Sequence, residues 1–227
     1  MTTLGIVKRH IQRANADAVA KLAALGTSTV HEAQGRTGLA RPVLPPIWPG
    51  ARVGGTAVTV LLQPGDNWMM HVAAEQIRPG DLVVATCITP NVDGFFGDLL
   101  ATSFQARGAV GLVIDGGVRD VQTLREMRFP VFARAHCAKG TVKATLGSVN
   151  IPVVCAGVMV NPGDAVIADD DGVVVVPAER VVEVAAAAAK REALEEAKRK
   201  RLAAGELGLD LYDMRGKLAA AGLRYVD

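Results

Sequence analysis

The sequence predicts an α/β fold, in which one compact domain is followed by a long C-terminal helix. Short apolar strands alternate with short helices, most clearly where a helix over 99–107 ends at Gly108 and a strand over 110–114 follows. The 227 residues are 50% hydrophobic and 21% charged, which is sufficient for one sizeable core. Residues 178–204 contain neither glycine nor proline and predict a single helix that ends at Gly205.

The N-terminal third predicts three helices and a strand. Gly26 ends the first helix, and Thr27 and Ser28 offer caps for the second. A proline-rich loop over 41–50 leads into the strand. The elements are a helix over 16–25, a helix that follows Gly26, a strand over 52–62 and a helix over 68–77.

Two histidines stand beside carboxylates in these helices. His31 precedes Glu32, but no histidine stands four residues after His31, so a zinc-protease motif is excluded and a packed or hydrogen-bonded histidine is expected. His71 and Glu75 lie one turn apart on one helix face. We expect packing there rather than metal binding, with the border of a pocket as the alternative for His71.

The tripeptide Pro-Gly-Asp occurs at 64–66, 79–81 and 162–164 and predicts three turns, because proline sets the first corner and glycine supplies the positive φ at the second. The last two precede strands. Further strands are expected over 129–134 and 151–160, the second covered on both faces because it is nearly all apolar.

The acidic run over 169–172 resembles a metal site at first sight, but its spacing does not fit one. Its D-D-D-G spacing lacks the alternate-position ligands and the terminal glutamate of a calcium-binding EF-hand loop, and apolar runs flank it, so it predicts a hairpin turn. The tail over 206–227 predicts a further short helix.

Composition excludes several classes of partner. A net charge of +2 with 4% aromatic residues gives no basic stripe for nucleic acid and no membrane-binding surface. No apolar run has the length of a signal peptide core or a membrane span, which favours a cytoplasmic protein. Cys87, Cys137 and Cys155 stand far apart without a C-x-x-C pair, so they are expected to be reduced core residues.

The stretch over 94–120 contains two glycine-rich turns, each of which brings charged residues to a helix start. Asp98 can cap the helix over 99–107, and the turn over 115–118 leads into a helix that begins near Arg119 and Asp120. Ligands gather at such strand ends, so the three side chains should meet. They could hold a divalent cation beside an anionic oxygen, but an ordinary salt bridge at a helix start is the commoner role of an isolated Arg-Asp pair, and the spacing alone does not decide between the two.

Longer motifs add a family resemblance. The pattern Asp98, twenty residues, Arg119-Asp120 is followed by KGTVKATLGS from Lys139 and by ADDDGVVVVP up to Pro177. In this order the motifs resemble the 4-hydroxy-4-methyl-2-oxoglutarate/4-carboxy-4-hydroxy-2-oxoadipate aldolases, and the similarity extends from Ser28 to the last residue. The resemblance implies the fold of the regulator of ribonuclease activity A, an αββα sandwich with a swivelling β/β/α core.

The resemblance also implies roles for residues of the stretch. Arg119 neutralises the enolate oxygen, and Asp98 orients the water that removes the 4-hydroxyl proton. Lys143 holds a distal carboxylate or the departing oxo acid. The pyruvyl carboxylate meets the main-chain N–H groups at the helix start, which comprises Gly97, Asp98, Leu99 and Leu100.

The implied cofactor is Mg²⁺ or Mn²⁺, held by Asp120. A glutamate of the adjacent subunit completes the outer shell through water, and the matched region places it at Glu195, with Glu192 and Glu196 as alternatives of register. The chain is then a homo-oligomer, a trimer or a hexamer of two stacked trimers. Residues 1–177 would form the catalytic core, and 178–227 a helical extension that packs on a neighbouring subunit.

The implied reactions split 4-carboxy-4-hydroxy-2-oxoadipate into pyruvate and oxaloacetate, and 4-hydroxy-4-methyl-2-oxoglutarate into two pyruvates. They belong to the meta-cleavage catabolism of aromatic acids such as protocatechuate and gallate, with oxaloacetate decarboxylation as a side activity. Two alternatives are a non-enzymatic regulator that binds ribonuclease E and a phosphate-transfer swivelling domain. A phosphate-transfer domain needs a phosphoacceptor histidine in a glycine–threonine loop, and none of the four histidines of this chain lies in such a loop. The chain also has no glycine-rich nucleotide loop of the kind expected of an S-adenosylmethionine-dependent methyltransferase.

Overall fold

The structure, a computed structural model, describes residues 4–227. The chain divides into two compact units, Met1–Ala188 and Ala189–Asp227, and the division falls inside the long C-terminal helix. The functional boundary expected after residue 177, and the packing of 178–227 on a neighbouring subunit, remain predictions.

Residues 4–227 form ten strands and eight α-helices. The strands are β1 Val53–Leu62, β2 Asp81–Cys87, β3 Gly94–Phe96, β4 Gly111–Val118, β5 Val131–His136, β6 Ser148–Val149, β7 Val153–Cys155, β8 Val158–Val160, β9 Ala165–Asp169 and β10 Gly172–Val176. The helices are α1 Ala16–Leu25, α2 Thr27–Ala33, α3 Trp68–Gln76, α4 Asp98–Ala106, α5 Val121–Glu126, α6 Val181–Ala203, α7 Gly208–Leu211 and α8 Arg215–Ala220.

One mixed sheet contains eight of the strands, in the order β10-β9-β1-β2-β4-β3, with β5 also paired to β4 and β6 to β1. Strands β1, β2, β4 and β5 are mutually parallel neighbours, while β9 and β10 are antiparallel. Strand β3 pairs with β4 where β2 ends, since β2 pairs as far as Asp115 and β3 takes up Gly117 and Val118. The carboxyl ends of β3 and β4 therefore meet.

Three apolar cores separate four layers. Along β4, Leu112 and Ile114 belong to a core with α3, α4 and α5, whereas Val113 faces a second core with β7 to β10. Along β10, Val174 faces a third core formed with α1, α2 and the first turns of α6. The alternation that strands impose on their side chains thus produces an α–β–β–α order. The expected α/β sandwich with a long C-terminal helix is confirmed.

Several local predictions are also confirmed. The residue after each turn proline has a positive φ, with values of 71°, 90° and 97° at Gly65, Gly80 and Gly163. Gly108 has a φ of 91°, as expected of a helix end. Asp169 pairs with Gly172, so the acidic run is a two-residue hairpin.

Three local predictions are wrong. The turn expected over 115–118 lies inside β4, because a Cβ at Gly117 would stand 2.0 Å from the Val92 carbonyl oxygen and only glycine permits this close approach beside β3. The single strand expected over 151–160 is the hairpin β7–β8, closed by Ala156 and Gly157 with φ of 45° and 85°. Gly97, rather than Asp98, is the N-cap of α4.

The cysteines have no disulfide partner, and Cys155 is buried while Cys87 and Cys137 are half-buried. Burial, reinforced by the negative charge of Asp115, raises the pKa of the Cys87 and Cys155 thiols to about 12. At neutral pH both thiols are therefore protonated, consistent with reduced packing residues.

The second unit comprises the distal part of α6, with α7 and α8. Arg191 Nε lies 2.8 Å from Glu195 Oε1, and Lys198 Nζ lies 4.8 Å from the ring centroid of Tyr212. Two helices occupy the tail, where one was expected. Across residues 4–227, no helix combines the length and the apolar character that a membrane crossing requires.

Candidate functional site

A cleft of about 450 Å³ opens where the carboxyl ends of β3 and β4 meet. Its walls come from the β3–α4 turn, the start of α5, helix α3 and the loop that precedes β6. The lining residues are Asn67, His71, Gly94, Phe95, Phe96, Gly97, Asp98, Leu99, Leu100, Arg119, Asp120, Thr141 and Lys143. The structure thus brings together Asp98, Arg119 and Asp120, as the sequence predicted, and Lys143, which was expected only from the family resemblance, lines the same cleft.

Asp120 joins the two helix starts of the cleft. Its Oδ2 accepts a hydrogen bond from the Asp98 main-chain nitrogen at 3.3 Å. A Cβ at Gly97 would lie 2.2 Å from the same oxygen, so glycine is required for this approach. Asp120 itself has a φ of 54° and a ψ of 36°, a left-handed conformation that costs about 1–3 kcal/mol for a non-glycine residue. Such strain is typical of functional sites.

Arg119 lies beside Asp120 at the mouth of the cleft. Its Nε stands 3.4 Å from Asp120 Oδ2, and its main-chain nitrogen donates to the Phe96 carbonyl at 2.9 Å. The side chain is 46% exposed, so water screens this ion pair and its contribution to stability is small. The pair engages Nε and leaves the two terminal guanidinium nitrogens for other contacts.

The first turn of α4 presents main-chain N–H groups to the cleft. The Leu99 nitrogen donates to Asp98 Oδ1 at 2.7 Å, so a carboxylate oxygen already occupies the position that an anionic ligand would take. The Leu99 side chain is 78% exposed at this edge, whereas Leu100 is buried. A ligand carboxylate that binds the Leu99 N–H must therefore displace the Asp98 side chain.

Two basic side chains stand in the other wall. Lys143 is exposed and joins no ion pair among residues 4–227. Partial loss of hydration in the cleft wall, together with the nearby Lys143 charge, lowers the pKa of His71, which favours the neutral imidazole. The favoured expectation for His71, a packed side chain, is wrong. His71 is exposed and borders the cleft, which was the alternative.

Sequence reasoning missed Asn67 and Thr141. Asn67 is 8% exposed, and its Nδ2 donates to the Phe95 carbonyl at 2.9 Å. This bond fixes the amide orientation and leaves Oδ1, which is buried and accepts no hydrogen bond among the described residues. The position directly before a helix was a signal for a cap, but nothing in the local sequence relates it to the cleft.

The glutamates predicted for the metal's outer shell lie on α6. Glu195 pairs with Arg191, and Glu196 pairs with Arg199 and with Lys200. Glu192 is half-buried. Their relation to a site on an adjacent subunit remains a prediction.

The cleft carboxylates fit one kind of metal ion. Among residues 4–227, no group of three or more histidine, cysteine, aspartate or glutamate side chains is arranged as a metal site. Asp120 and Asp98 offer hard oxygen ligands within one cleft, and Mg²⁺ is commonly bound by one or two carboxylates while water and ligand supply the other oxygens. The donor set therefore fits a hard ion of this type rather than a closed structural metal.

Fold and cleft together define a class, the α/β sandwich proteins with charged groups gathered where two parallel strands end. A family model described as RraA-like, Aldolase/RraA, matches residues 17–175. The chain belongs to this RraA-like family.

Individual relatives agree with this assignment. A protein of Halalkalibacterium halodurans, provisionally named 4-hydroxy-4-methyl-2-oxoglutarate aldolase, is 28% identical over 203 residues, which cover 89% of this chain and 96% of the relative. A second relative is the crystal structure of Streptomyces coelicolor RraAS2, described as an unusual member of the RNase ES inhibitor RraA protein family. It superimposes with a TM-score of 0.73 at 28% identity, and the match covers 84% of this chain and 99% of the Streptomyces chain. An uncharacterized Pseudomonas syringae protein has a TM-score of 0.76 at 27% identity, covering 87% and 97%.

Proposed function

We propose that this protein is a carbon–carbon lyase that cleaves a 4-hydroxy-2-oxo diacid into pyruvate and a second oxo acid. The observation that carries the proposal is the convergence of Arg119, Asp120 and the N-terminus of α4 on one cleft. This combination suits an anionic substrate on which further negative charge develops. The name given to the Halalkalibacterium relative supports the same reaction class.

The first turn of α4 binds the pyruvyl carboxylate. Its main-chain N–H groups, at Leu99 and Leu100, offer hydrogen bonds and the positive end of the helix dipole. The Asp98 carboxylate, now on the Leu99 nitrogen, moves aside as the substrate enters. Once released, it orients the water that takes the 4-hydroxyl proton.

Arg119 acts on the charge that appears during cleavage. As the 4-hydroxyl loses its proton, the C4 oxygen becomes the carbonyl of the second oxo acid and the bond between C3 and C4 breaks. The electron pair stays on the pyruvyl fragment and is delocalised onto the 2-oxo oxygen as an enolate, and a proton then returns to C3 to give pyruvate. The terminal guanidinium nitrogens, which the ion pair with Asp120 leaves unused, donate to this oxygen. Lys143 binds the distal carboxylate or the departing oxo acid.

Asp120 would hold Mg²⁺ or Mn²⁺. When bound, such an ion would supply Lewis-acid chemistry at the 2-oxo group of the substrate. Glu195 of an adjacent subunit, with Glu192 or Glu196 as alternatives, would complete its outer shell through water. This requires a trimer or hexamer in which residues 178–227 pack on a neighbour.

The substrates we propose are 4-carboxy-4-hydroxy-2-oxoadipate and 4-hydroxy-4-methyl-2-oxoglutarate, which place the protein in aromatic-acid catabolism. Oxaloacetate decarboxylation is expected as a side activity, since it passes through the same pyruvate enolate.

The test measures pyruvate release from both substrates before and after exhaustive treatment with EDTA. We expect activity to disappear and to return with Mg²⁺ or Mn²⁺ better than with Ca²⁺, because the small ion suits a site of few protein ligands. Full turnover in the chelated protein would contradict the metal mechanism. No pyruvate release from either substrate, with metal present, would contradict the lyase assignment.

The second candidate is a regulator that binds ribonuclease E, which the description of the Streptomyces structure brings into consideration. A binding surface of this kind does not need the strained Asp120 beside Arg119. Association with ribonuclease E that is unchanged in Arg119→Ala, in a protein without lyase activity, would favour this candidate.

A further inference from the structure

Asp66 is a buried carboxylate behind the wall of the cleft. It is 2% exposed and accepts three main-chain hydrogen bonds. One comes from the Trp68 nitrogen at 2.8 Å, at the start of α3. The other two come from the Ala144 and Thr145 nitrogens at 2.6 and 2.7 Å. Asp66 therefore joins the start of α3 to a loop far away in the sequence.

Main-chain bonds continue this connection. The Val142 nitrogen donates to the Gly65 carbonyl at 2.8 Å, and the Asn67 nitrogen donates to the Val142 carbonyl at 3.1 Å. Lys143 lies between Val142 and Ala144, and both neighbours are thus held by the segment around Asp66. The loop has no helix or strand of its own here that would fix the lysine.

We propose that Asp66 is a positioning residue that holds Lys143 in the cleft wall, where its ammonium meets the second carboxylate of the substrate. The inference rests on the proposed lyase function, which assigns that contact to Lys143. A lysine binds a ligand more tightly when its main chain is already fixed, because less conformational entropy is lost when the ligand binds. The exposed Lys143 ammonium is otherwise free to sample positions outside the cleft.

An ionised aspartate is suited to this role for two reasons. Its two oxygens together accept the three N–H groups, whereas an asparagine amide has a single acceptor oxygen. Its negative charge also lies near Lys143 and attracts the ammonium toward this wall. The charge of Lys143 in turn favours the ionised form of Asp66.

Asp164 provides a matched control. It is 4% exposed and also accepts main-chain hydrogen bonds, from Asn161 at 2.8 Å and from Ala178 at 3.1 Å. It is not among the residues that line the cleft. Asp164→Asn therefore reproduces the loss of a buried carboxylate without disturbing the loop around Lys143.

The experiment is a double-mutant cycle of Asp66→Asn and Lys143→Ala, with kcat and KM measured on 4-carboxy-4-hydroxy-2-oxoadipate. We expect Asp66→Asn to raise KM roughly tenfold and to leave kcat within about twofold of the wild-type value. This pattern is typical of losing an interaction that is equally strong in the bound substrate and in the transition state. In the Lys143→Ala protein the same substitution should change KM by less than about twofold, because the residue through which it acts is gone. Equal effects in both backgrounds, or the same rise in KM for Asp164→Asn, would overturn the proposal.

Two further measurements keep the test decisive. If Asp66→Asn does not fold, Asp66→Glu replaces it, because glutamate keeps both carboxylate oxygens. If Asp66→Glu changes KM equally in the wild type and in the Lys143→Ala protein, the proposal is again overturned. Amide hydrogen exchange over 141–147 requires no activity. Faster exchange over these residues in Asp66→Asn, but not in Asp164→Asn, supports the role of Asp66 in holding the loop, even if the wild type cleaves no substrate. Unchanged exchange in Asp66→Asn rejects this role, even if the wild type is an active lyase.

Discussion

Asp120 Oδ2 accepts a hydrogen bond from the Asp98 main-chain nitrogen, so one carboxylate links the start of α4 to the start of α5. The bond spans 22 residues, and it holds because Gly97 has no side chain where the carboxylate stands. The two helix starts consequently face one cleft.

Gly97→Ala should strongly lower the activity of the protein while leaving it folded. The new methyl group would lie 2.2 Å from Asp120 Oδ2, so the carboxylate must move away from the Asp98 nitrogen. We expect kcat/KM to fall about 100-fold, as is common for misplacement of a site group by an ångström. Gly216→Ala is the control, because a Cβ there meets no atom within 4 Å. Equal activity of the two variants would show that the position of Asp120 is unimportant.

Arg119→Ala should lower kcat much more than it raises KM, because the guanidinium meets charge that appears only as the enolate forms. The loss of one such donor typically costs about 100- to 1,000-fold in kcat. Steady-state kinetics with either proposed substrate measures the split.

Arg119→Lys tests the geometry of the same contact. Lysine keeps the charge but lacks the planar fork of donors, so we expect little recovery of kcat. A kcat near that of the wild type would show that positive charge alone is sufficient.

Mixing two inactive variants tests the shared site. Asp120→Ala and Glu195→Ala proteins, unfolded and reassembled together, should regain part of the activity, because some sites then receive both intact residues from different subunits. Arg119→Ala mixed with Asp120→Ala is the control and should stay inactive, since adjacent residues of one chain contribute to one site. Activity in the control mixture, or none in the first although each variant assembles, would reject the arrangement.

Acid should weaken the contribution of Asp66 to stability. Burial opposes ionisation of this carboxyl, but hydrogen bonds from Trp68, Ala144 and Thr145 outweigh it and hold its pKa below the ordinary value of about 3.9. The native state therefore binds fewer protons than the unfolded state. The stabilisation is full above the unfolded pKa and is lost as the pH falls through the lowered folded pKa. In urea unfolding, the difference between the wild type and Asp66→Asn should shrink below about pH 4.

Asp164 should show the opposite sign. Burial raises its pKa, although hydrogen bonds from Asn161 and Ala178 oppose the rise. Its contribution is therefore largest below the unfolded pKa and declines as the pH rises through the raised folded pKa. The difference in the free energy of unfolding between the wild type and Asp164→Asn should grow on acidification. If this difference depends on pH in the same way for Asp66→Asn and Asp164→Asn, the opposite pKa shifts of the two carboxyls are contradicted.

Local sequence determined much of this protein. The positive φ of Gly108, the acidic hairpin before Gly172 and the long glycine-free helix each depend on residues next to one another, and each prediction agrees with the structure. The meeting of Asp98 with Arg119 and Asp120 was also predicted, from two glycine-rich turns that each bring charged residues to a helix start. The structure adds that these residues follow the ends of two adjacent parallel strands, of which β3 was not expected.

Tertiary structure decided the rest. Gly116 and Gly117 have the local character of a turn, but pairing with β3 and β5 extends β4 through them. The wall with Lys143 depends on Asp66 bonds to residues 78 and 79 positions away, and no periodic pattern in a sequence reports such contacts. Strand ends and turns follow from the conformational preferences of a few neighbouring residues, whereas a cleft wall forms only where the packed chain brings a buried carboxylate to distant main-chain N–H groups.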